Sequence, residues 1–179
     1  MKNFAAHSAG AKTLFALTAL LFVVSPPASA VPILSTAVRT TPYERYMTPV
    51  RQAFDSMHSE GASMERVNML MRQGRNFRYS RTDPYFPAPP EETAARRAGD
   101  CKDKALWLMS QLQDQNVRFV IGKLDRNARL SHAWLVWEHD GQRWILDCSM
   151  FNHPIPADRF GPDEYVPIYS YTKDSAYRH

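Results

Sequence analysis

Residues 131–149 read SHAWLVWEHDGQRWILDCS. Asp140-Gly141 sits between two runs rich in aromatic and branched apolar residues, and Asp-Gly in that setting is a strong signal for a two-residue hairpin. With these two residues as the turn, His139 faces Gln142, Glu138 faces Arg143, Trp137 faces Trp144, Val136 faces Ile145, Leu135 faces Leu146 and Trp134 faces Asp147. Side chains alternate between the two faces of a strand. His132, Trp134, Asp147 and Ser149 therefore share one face, and Cys148 falls on the other, opposite Ala133. His132 and Asp147 become diagonal neighbours with backbones roughly 7–8 Å apart, within side-chain reach. A slip of one residue would undo the arrangement. The opposite charges of Glu138 and Arg143 and the cross-strand pair Trp137–Trp144 support this register over its neighbours.

Working outward, residues 117–124 read as a further strand, and 94–116 hold the strongest helical pattern. Asp100 is a good N-cap there, and Asp103, three residues on, stands where a capping-box acid belongs. Ala105, Leu106, Trp107, Leu108 and Met109 make the helix apolar all round, the mark of a buried helix. Upstream, Tyr43, Tyr46, Met47, Val50 and Phe54 recur at helical spacing from about Pro42 to a stop at Gly61. Ser63 starts a second helix with Met64, Val67, Leu70 and Met71 on one face, ended by Gly74. Residues 76–81 suit a short extended piece. Residues 82–93, with Pro84, Pro87, Pro89 and Pro90, read as loop. The tail carries Pro154, Pro156, Pro162 and Pro167, with an alternating strand near 166–171. Helices, one central helix and then antiparallel strands give an α+β class, a sheet packed on a helix.

The first 30 residues read differently. Lys2 and Lys12 are their only Lys, Arg, Asp or Glu residues. An apolar run covers 14–24, Pro26-Pro27 follows, and Ala28-Ser29-Ala30 closes the segment. That is the form of a cleaved secretory signal, and the apolar run is too short to span a bilayer. Residues 31–41 read as a flexible tether and 42–179 as one domain, long enough for a core of its own. The expected location is the periplasm or the medium, with no stable membrane insertion after cleavage. The chain has 22 Lys and Arg against 18 Asp and Glu. Losing Lys2 and Lys12 leaves 20 against 18, and no basic run is interleaved with aromatics. Nucleic acid is therefore excluded as a partner.

Two cysteines remain, Cys101 and Cys148, and an exported chain raises the question of a disulfide. The hairpin register turns Cys148 away from the face of His132, toward small and apolar neighbours, as a buried core thiol. Cys101 opens the central helix, where the positive end of the helix dipole favours a thiolate. A thiol, an imidazole and a carboxylate, each on an element that can aim it, are the parts of a nucleophile, a base and an orienting acid. His58, His139 and His153 are weaker bases by position. A zinc site from Cys101, His132, Asp147 and His153 is the rival chemistry, but no C-x-x-C or H-x-x-x-H spacing supports it.

At Gly99-Asp100-Cys101-Lys102-Asp103-Lys104-Ala105, His132-Ala133-Trp134 and Trp144-Ile145-Leu146-Asp147 the chain resembles the transglutaminase-like superfamily. More narrowly it is similar to the exported bacterial transglutaminase-like cysteine peptidases. Val67-Asn68, residues 79–83 and Pro90-Glu91-Glu92-Thr93 fit as well, so the resemblance spans about 64–150. It implies a papain-like core with the catalytic helix on an antiparallel sheet. It implies Cys101 as nucleophile, His132 as general base and acid, and Asp147 as the group that orients His132. The Cys101 backbone N–H would help hold the oxyanion, with Tyr79 or Asn76 as candidates for the second donor.

Two departures stand out. Family members often carry an acidic residue directly after the cysteine, and in calcium-dependent peptidases it helps bind the ion. Here that position is Lys102, which implies that the calcium site is missing; no cofactor or metal is expected. Cys148 stands where a proline commonly follows the carboxylate. The expected activity is cleavage of an amide or peptide bond in a protein or peptide substrate, through a thioester. The alternatives are a protein-glutamine transamidase and a non-catalytic binding domain that keeps the fold.

Overall fold

In the computed structural model, which describes residues 35–58 and 61–179, Asp140 and Gly141 both adopt left-handed backbone, φ 51° and 72°. Positive φ at both positions is what a type I′ hairpin turn requires. The turn joins β5, His132–His139, to β6, Gln142–Leu146, and the pairs run from His139–Gln142 to Leu135–Leu146 as read from the sequence. The ladder ends at Leu146, so Asp147 leaves the strand with its side chain free to turn toward the site.

β4, Val117–Asp125, pairs antiparallel with β5 on one side and with β8, Glu164–Tyr171, on the other. The edges are completed by β1, Thr36–Val38, and β9, Ala176–Arg178, on the β8 side and by β7, Ile155–Pro156, beside β6. Among the described residues this makes one sheet in the order β1-β9-β8-β4-β5-β6-β7. A separate parallel pair joins β2, Arg78–Tyr79, to β3, Ala98–Gly99. The helices are α1, Thr48–Asp55, α2, Met64–Arg75, α3, Pro90–Arg96, and α4, Cys101–Leu112.

The sheet has two dissimilar faces. Ala133, Leu135, Trp137 and Leu146 point toward the helices and share a core with Leu106, Trp107 and Met109 of α4 and with Val67 and Met71 of α2. Each large side chain fully buried there contributes about 1.5–3 kcal/mol of transfer free energy. Asp114, just past α4, ties this layer together. Its carboxylate accepts the Ala62 N–H at 2.9 Å, the Trp137 indole N–H at 2.7 Å and the Asn116 N–H at 2.8 Å. The other face carries a smaller cluster of Val120, Trp134 and Ile145, covered by Val136, Phe160 and Tyr165.

Four expectations are corrected. Residues 36–38, read as part of a flexible tether, form the edge strand β1, because β9 offers an unpaired edge. Residues 90–96, assigned in part to loop, form α3; Pro90 fits the first turn, where no N–H is needed, and Glu91 and Glu92 suit the positive helix end. Gly74 lies inside α2 rather than ending it, and a Cβ there would sit 2.7 Å from Cys148 Sγ. The first helical pattern splits into a 3-10 turn, Glu44–Tyr46, and α1. The signal segment, 1–30, and residues 31–34 lie outside the described residues. No described helix is long and apolar enough to cross a membrane.

Candidate active site

The site grows from the start of α4. The β2–β3 pair sets Tyr79 beside Gly99 and delivers the chain into the N-cap at Asp100. Gly99 is required by close approach: a Cβ there would stand 2.7 Å from the Cβ of Asp103. Asp103 accepts the Asp100 N–H at 3.1 Å and so satisfies one of the donors that a helix start leaves open. Cys101 is then the first helical residue, half-buried, free of any disulfide, with its own N–H not used inside the helix.

Tyr79 meets it there. The Tyr79 hydroxyl lies close enough to Cys101 for the thiol and its backbone to act on the phenol. Burial, followed by the charges of Cys101 and Asp100, pushes the phenol up to about 12. The ring is otherwise exposed at 54 %. Asn76, the other candidate second donor, stands at the end of α2, its backbone N–H donating to the carbonyls of Arg72 and Gln73. A cleft of about 470 Å³ is lined by Arg78, Arg81, Thr82, Asp83 and Arg96, without Tyr79 or Cys101 on its wall.

His132 opens β5, opposite Gly122 of β4. Gly122 has no room for a side chain: a Cβ would lie 2.2 Å from the Val166 carbonyl and 2.6 Å from the Trp134 ring. That closeness packs Trp134 down and leaves the His132 ring stacked near it, centroids 6.1 Å apart. His132 Nε2 lies 2.7 Å from Asp147 Oδ2, and Cys101 is close enough to act on the ring. With Nε2 committed to Asp147, Nδ1 is the nitrogen left for the thiol. Burial pulls the imidazole down, but the hydrogen bonds to Asp147 and Cys101 and their charges outweigh it, lifting His132 to about 9.

Asp147 is 2 % exposed, and both its oxygens are satisfied. Oδ1 accepts the Ser149 N–H at 2.9 Å. Oδ2 accepts from His132 and also from the Tyr165 hydroxyl at 2.8 Å. Tyr165 was not legible as a site residue. It sits at the start of β8, its ring edge-on to Trp134 with centroids 5.2 Å apart and tilted against Phe160 at 4.6 Å. Its φ of 47° is left-handed, a conformation that costs a bulky residue on the order of 1 kcal/mol or more. Packing and the bond to Asp147 hold it there. Burial and the neighbouring Asp147 charge raise its phenol far above the ordinary range.

The structure thus brings Cys101, His132, Asp147 and Tyr79 together. Cys148 points into the core, 1 % exposed, its thiol 3.8 Å from the Lys104 carbonyl, and burial pushes it up to about 12. His153 contacts Asn152 at 2.8 Å on the surface, His139 stacks on Trp137, and His58 is exposed. Among the described residues no group of three or more His, Cys, Asp or Glu side chains could hold a metal ion.

The same architecture occurs in LapG of Legionella pneumophila. Its calcium-bound structure superposes with a TM-score of 0.53 at 18% identity, covering 78% of this chain and 81% of that one. A second LapG structure gives 0.52 at 14% over the same shares, and the EGTA-treated form gives 0.51 at 14%, covering 78% of each chain. The chain has the transglutaminase-like fold of LapG. No family model matches the sequence, and neither does any curated protein. At these identities it is the fold that is shared, as the resemblance of the Cys101, His132 and Asp147 motifs implies.

Proposed function

We propose that this protein is an exported thiol enzyme that hydrolyses an amide or peptide bond in a protein or peptide substrate, with Cys101 as nucleophile, His132 as base and acid, and Asp147 as the residue that orients the imidazole. The observation that carries the reading is the buried His132–Asp147 pair, 2.7 Å apart, with Cys101 at the start of α4 close enough to act on the imidazole. The fold shared with LapG supports it. Cys101 Sγ attacks the carbonyl carbon after its proton passes to His132. The oxyanion that forms takes the Cys101 N–H, with Tyr79 as the candidate second donor. His132 then gives its proton to the leaving amine, the C–N bond breaks, and a thioester remains. Water attacks the thioester, His132 takes the water's proton, and the acid leaves with the thiol restored.

Tyr79 stands beside Gly99 where the chain enters the N-cap, and its phenol, raised to about 12, keeps its proton at neutral pH and can offer it to the oxyanion. The test uses a fluorogenic peptide library for hydrolysis and a fluorescent amine with casein for transfer. Hydrolysis by the native chain that vanishes in Cys101→Ala and persists in Cys148→Ala is expected. Activity surviving in Cys101→Ala would sink the reading, and amine incorporation without hydrolysis would make the protein a transferase.

A further inference from the structure

LapG was solved in calcium-bound and EGTA-treated forms, so whether this chain's residues fit such an ion can be put to its own geometry. The place to look is the start of α4, where Asp100 and Asp103 stand beside Thr82. Three oxygen-bearing side chains at one point are hard donors of the class a calcium ion takes. The point is already filled. Lys102 Nζ lies 2.5 Å from Asp100 Oδ2, 3.1 Å from Thr82 Oγ1 and 3.9 Å from Asp103 Oδ1. The lysine and Asp100 side chains are only 13 % and 11 % exposed and that of Asp103 is closed off entirely. An ammonium in that position repels a divalent cation and supplies none of the six to eight oxygens calcium needs. The residues present do not fit the ion.

Lys102 also stands where a lysine is least expected. It is the second residue of α4, at the positive end of the helix, which disfavours a cation. Two carboxylates reverse that preference. They also reach outward. Thr82 Oγ1 donates to Asp103 at 2.7 Å, the Ala88 N–H donates to the same carboxylate at 2.8 Å, and the Thr82 N–H lies 3.5 Å from Asp100. Asp100 and Asp103 thus fasten the segment 82–88 to the helix that carries the nucleophile. Without a cation, two buried carboxylates one turn apart would repel each other.

We infer that the Lys102 ammonium is a tethered cation that does the work of a divalent ion at the start of α4, holding the 82–88 segment against the nucleophile helix and freeing this protein from calcium. Lys102 is a positioning residue. It touches no reacting atom and acts through Asp100, Asp103 and Thr82. That the helix it braces carries a catalytic cysteine rests on the proposed function; the bracing itself does not.

The experiment therefore reads stability as well as reactivity. Melting temperature and the rate of Cys101 alkylation by iodoacetamide are followed in EGTA, in CaCl2 and in MgCl2. The native chain is expected to give the same two values in all three. Lys102→Met, which keeps the stem and removes the charge, is expected to melt roughly 3–8 °C lower in every buffer. Lys102→Arg is expected to recover most of that loss. Lys102→Glu is expected to be the least stable in EGTA and to be rescued by CaCl2 in a dose-dependent way, with MgCl2 much weaker because magnesium demands near-ideal octahedral geometry. A rise in melting temperature of the native chain with calcium would overturn the inference, and so would a Lys102→Met variant as stable as the native chain. Failure of calcium to rescue Lys102→Glu would also overturn it, Lys102→Met serving as the folded reference. Loss of hydrolysis by an otherwise calcium-indifferent, stable protein would count against the proposed function and leave this inference standing.

Discussion

Cys101 and Cys148 are the same side chain in two settings of one sheet-and-helix layer. Cys101 opens α4, half-buried, with a helix N-terminus behind it and His132 and Tyr79 close enough to feel its charge. Cys148 follows Asp147 by one residue, yet it points the other way, against Gly74 and the Lys104 carbonyl, and burial holds its proton on up to about 12. What separates a nucleophile from a core filler is thus where the chain presents it, at a helix start or past a strand end, and the charges it then meets. Asp147 and Cys148 are adjacent in sequence, just past the end of β6, one turned to His132 and the other into the core.

Removing each thiol in turn separates the two settings. Cys101→Ala or His132→Ala is expected to lower kcat/KM by about 10⁴-fold or more, as for other nucleophile–base pairs. Cys148→Ala should leave kcat/KM within about twofold of the native value. Asp147→Asn comes next, with a loss on the order of 10²–10⁴, because the amide can hold the wrong tautomer of His132 and cannot balance its charge. The same substitution should move the alkaline limb of the pH–rate profile downward from near 9, since the Asp147 charge and hydrogen bond are chief among what raises His132.

The raised His132 also fixes the sign of a stability effect. Its folded value is above the ordinary 6.5, so charged His132 stabilises the fold fully below that value, and the contribution is lost as pH rises through about 9. Melting temperature should therefore fall between about pH 7 and pH 10, and much of that slope should vanish in Asp147→Asn. Tyr165→Phe is expected to cost about tenfold in kcat/KM, with KM little changed, because it removes one donor from Asp147 and leaves the ring packing in place. The smallest effect is the stability of Cys148→Ala, down by about 1 kcal/mol for a small core cavity, measured by urea titration.

Much of this was legible in the sequence, for local reasons. Asp140-Gly141 dictates a turn that demands positive φ twice, and that turn fixes which residues share a face. That register runs to Leu135–Leu146; the pairing read beyond it, Trp134 with Asp147, is not made, and Asp147 reaches His132 from just past the strand end. Asp100 and Asp103 announced the start of α4 through capping chemistry, which is equally local. Tyr165 was hidden because nothing near it in the chain refers to Asp147. Its role depends on β8 pairing with β4 across some forty residues and on a left-handed backbone at a bulky residue. β1 was hidden for a related reason: three unremarkable residues become a strand only because β9, at the far end of the chain, leaves an edge open. Lys102 was visible as a departure, but its partner Thr82 lies in the proline-rich segment, whose packing on α4 no spacing reveals.

The claim that one thiol is activated and the other is not can be tested without knowing the substrate. The native chain and His132→Ala are treated with limiting iodoacetamide at pH 6.5, and the rate at each cysteine is read by peptide mass spectrometry. The native protein should be alkylated at Cys101 far faster than at Cys148, and that advantage should collapse in His132→Ala. Equal rates at the two cysteines, or a Cys101 rate indifferent to loss of the histidine, would contradict it.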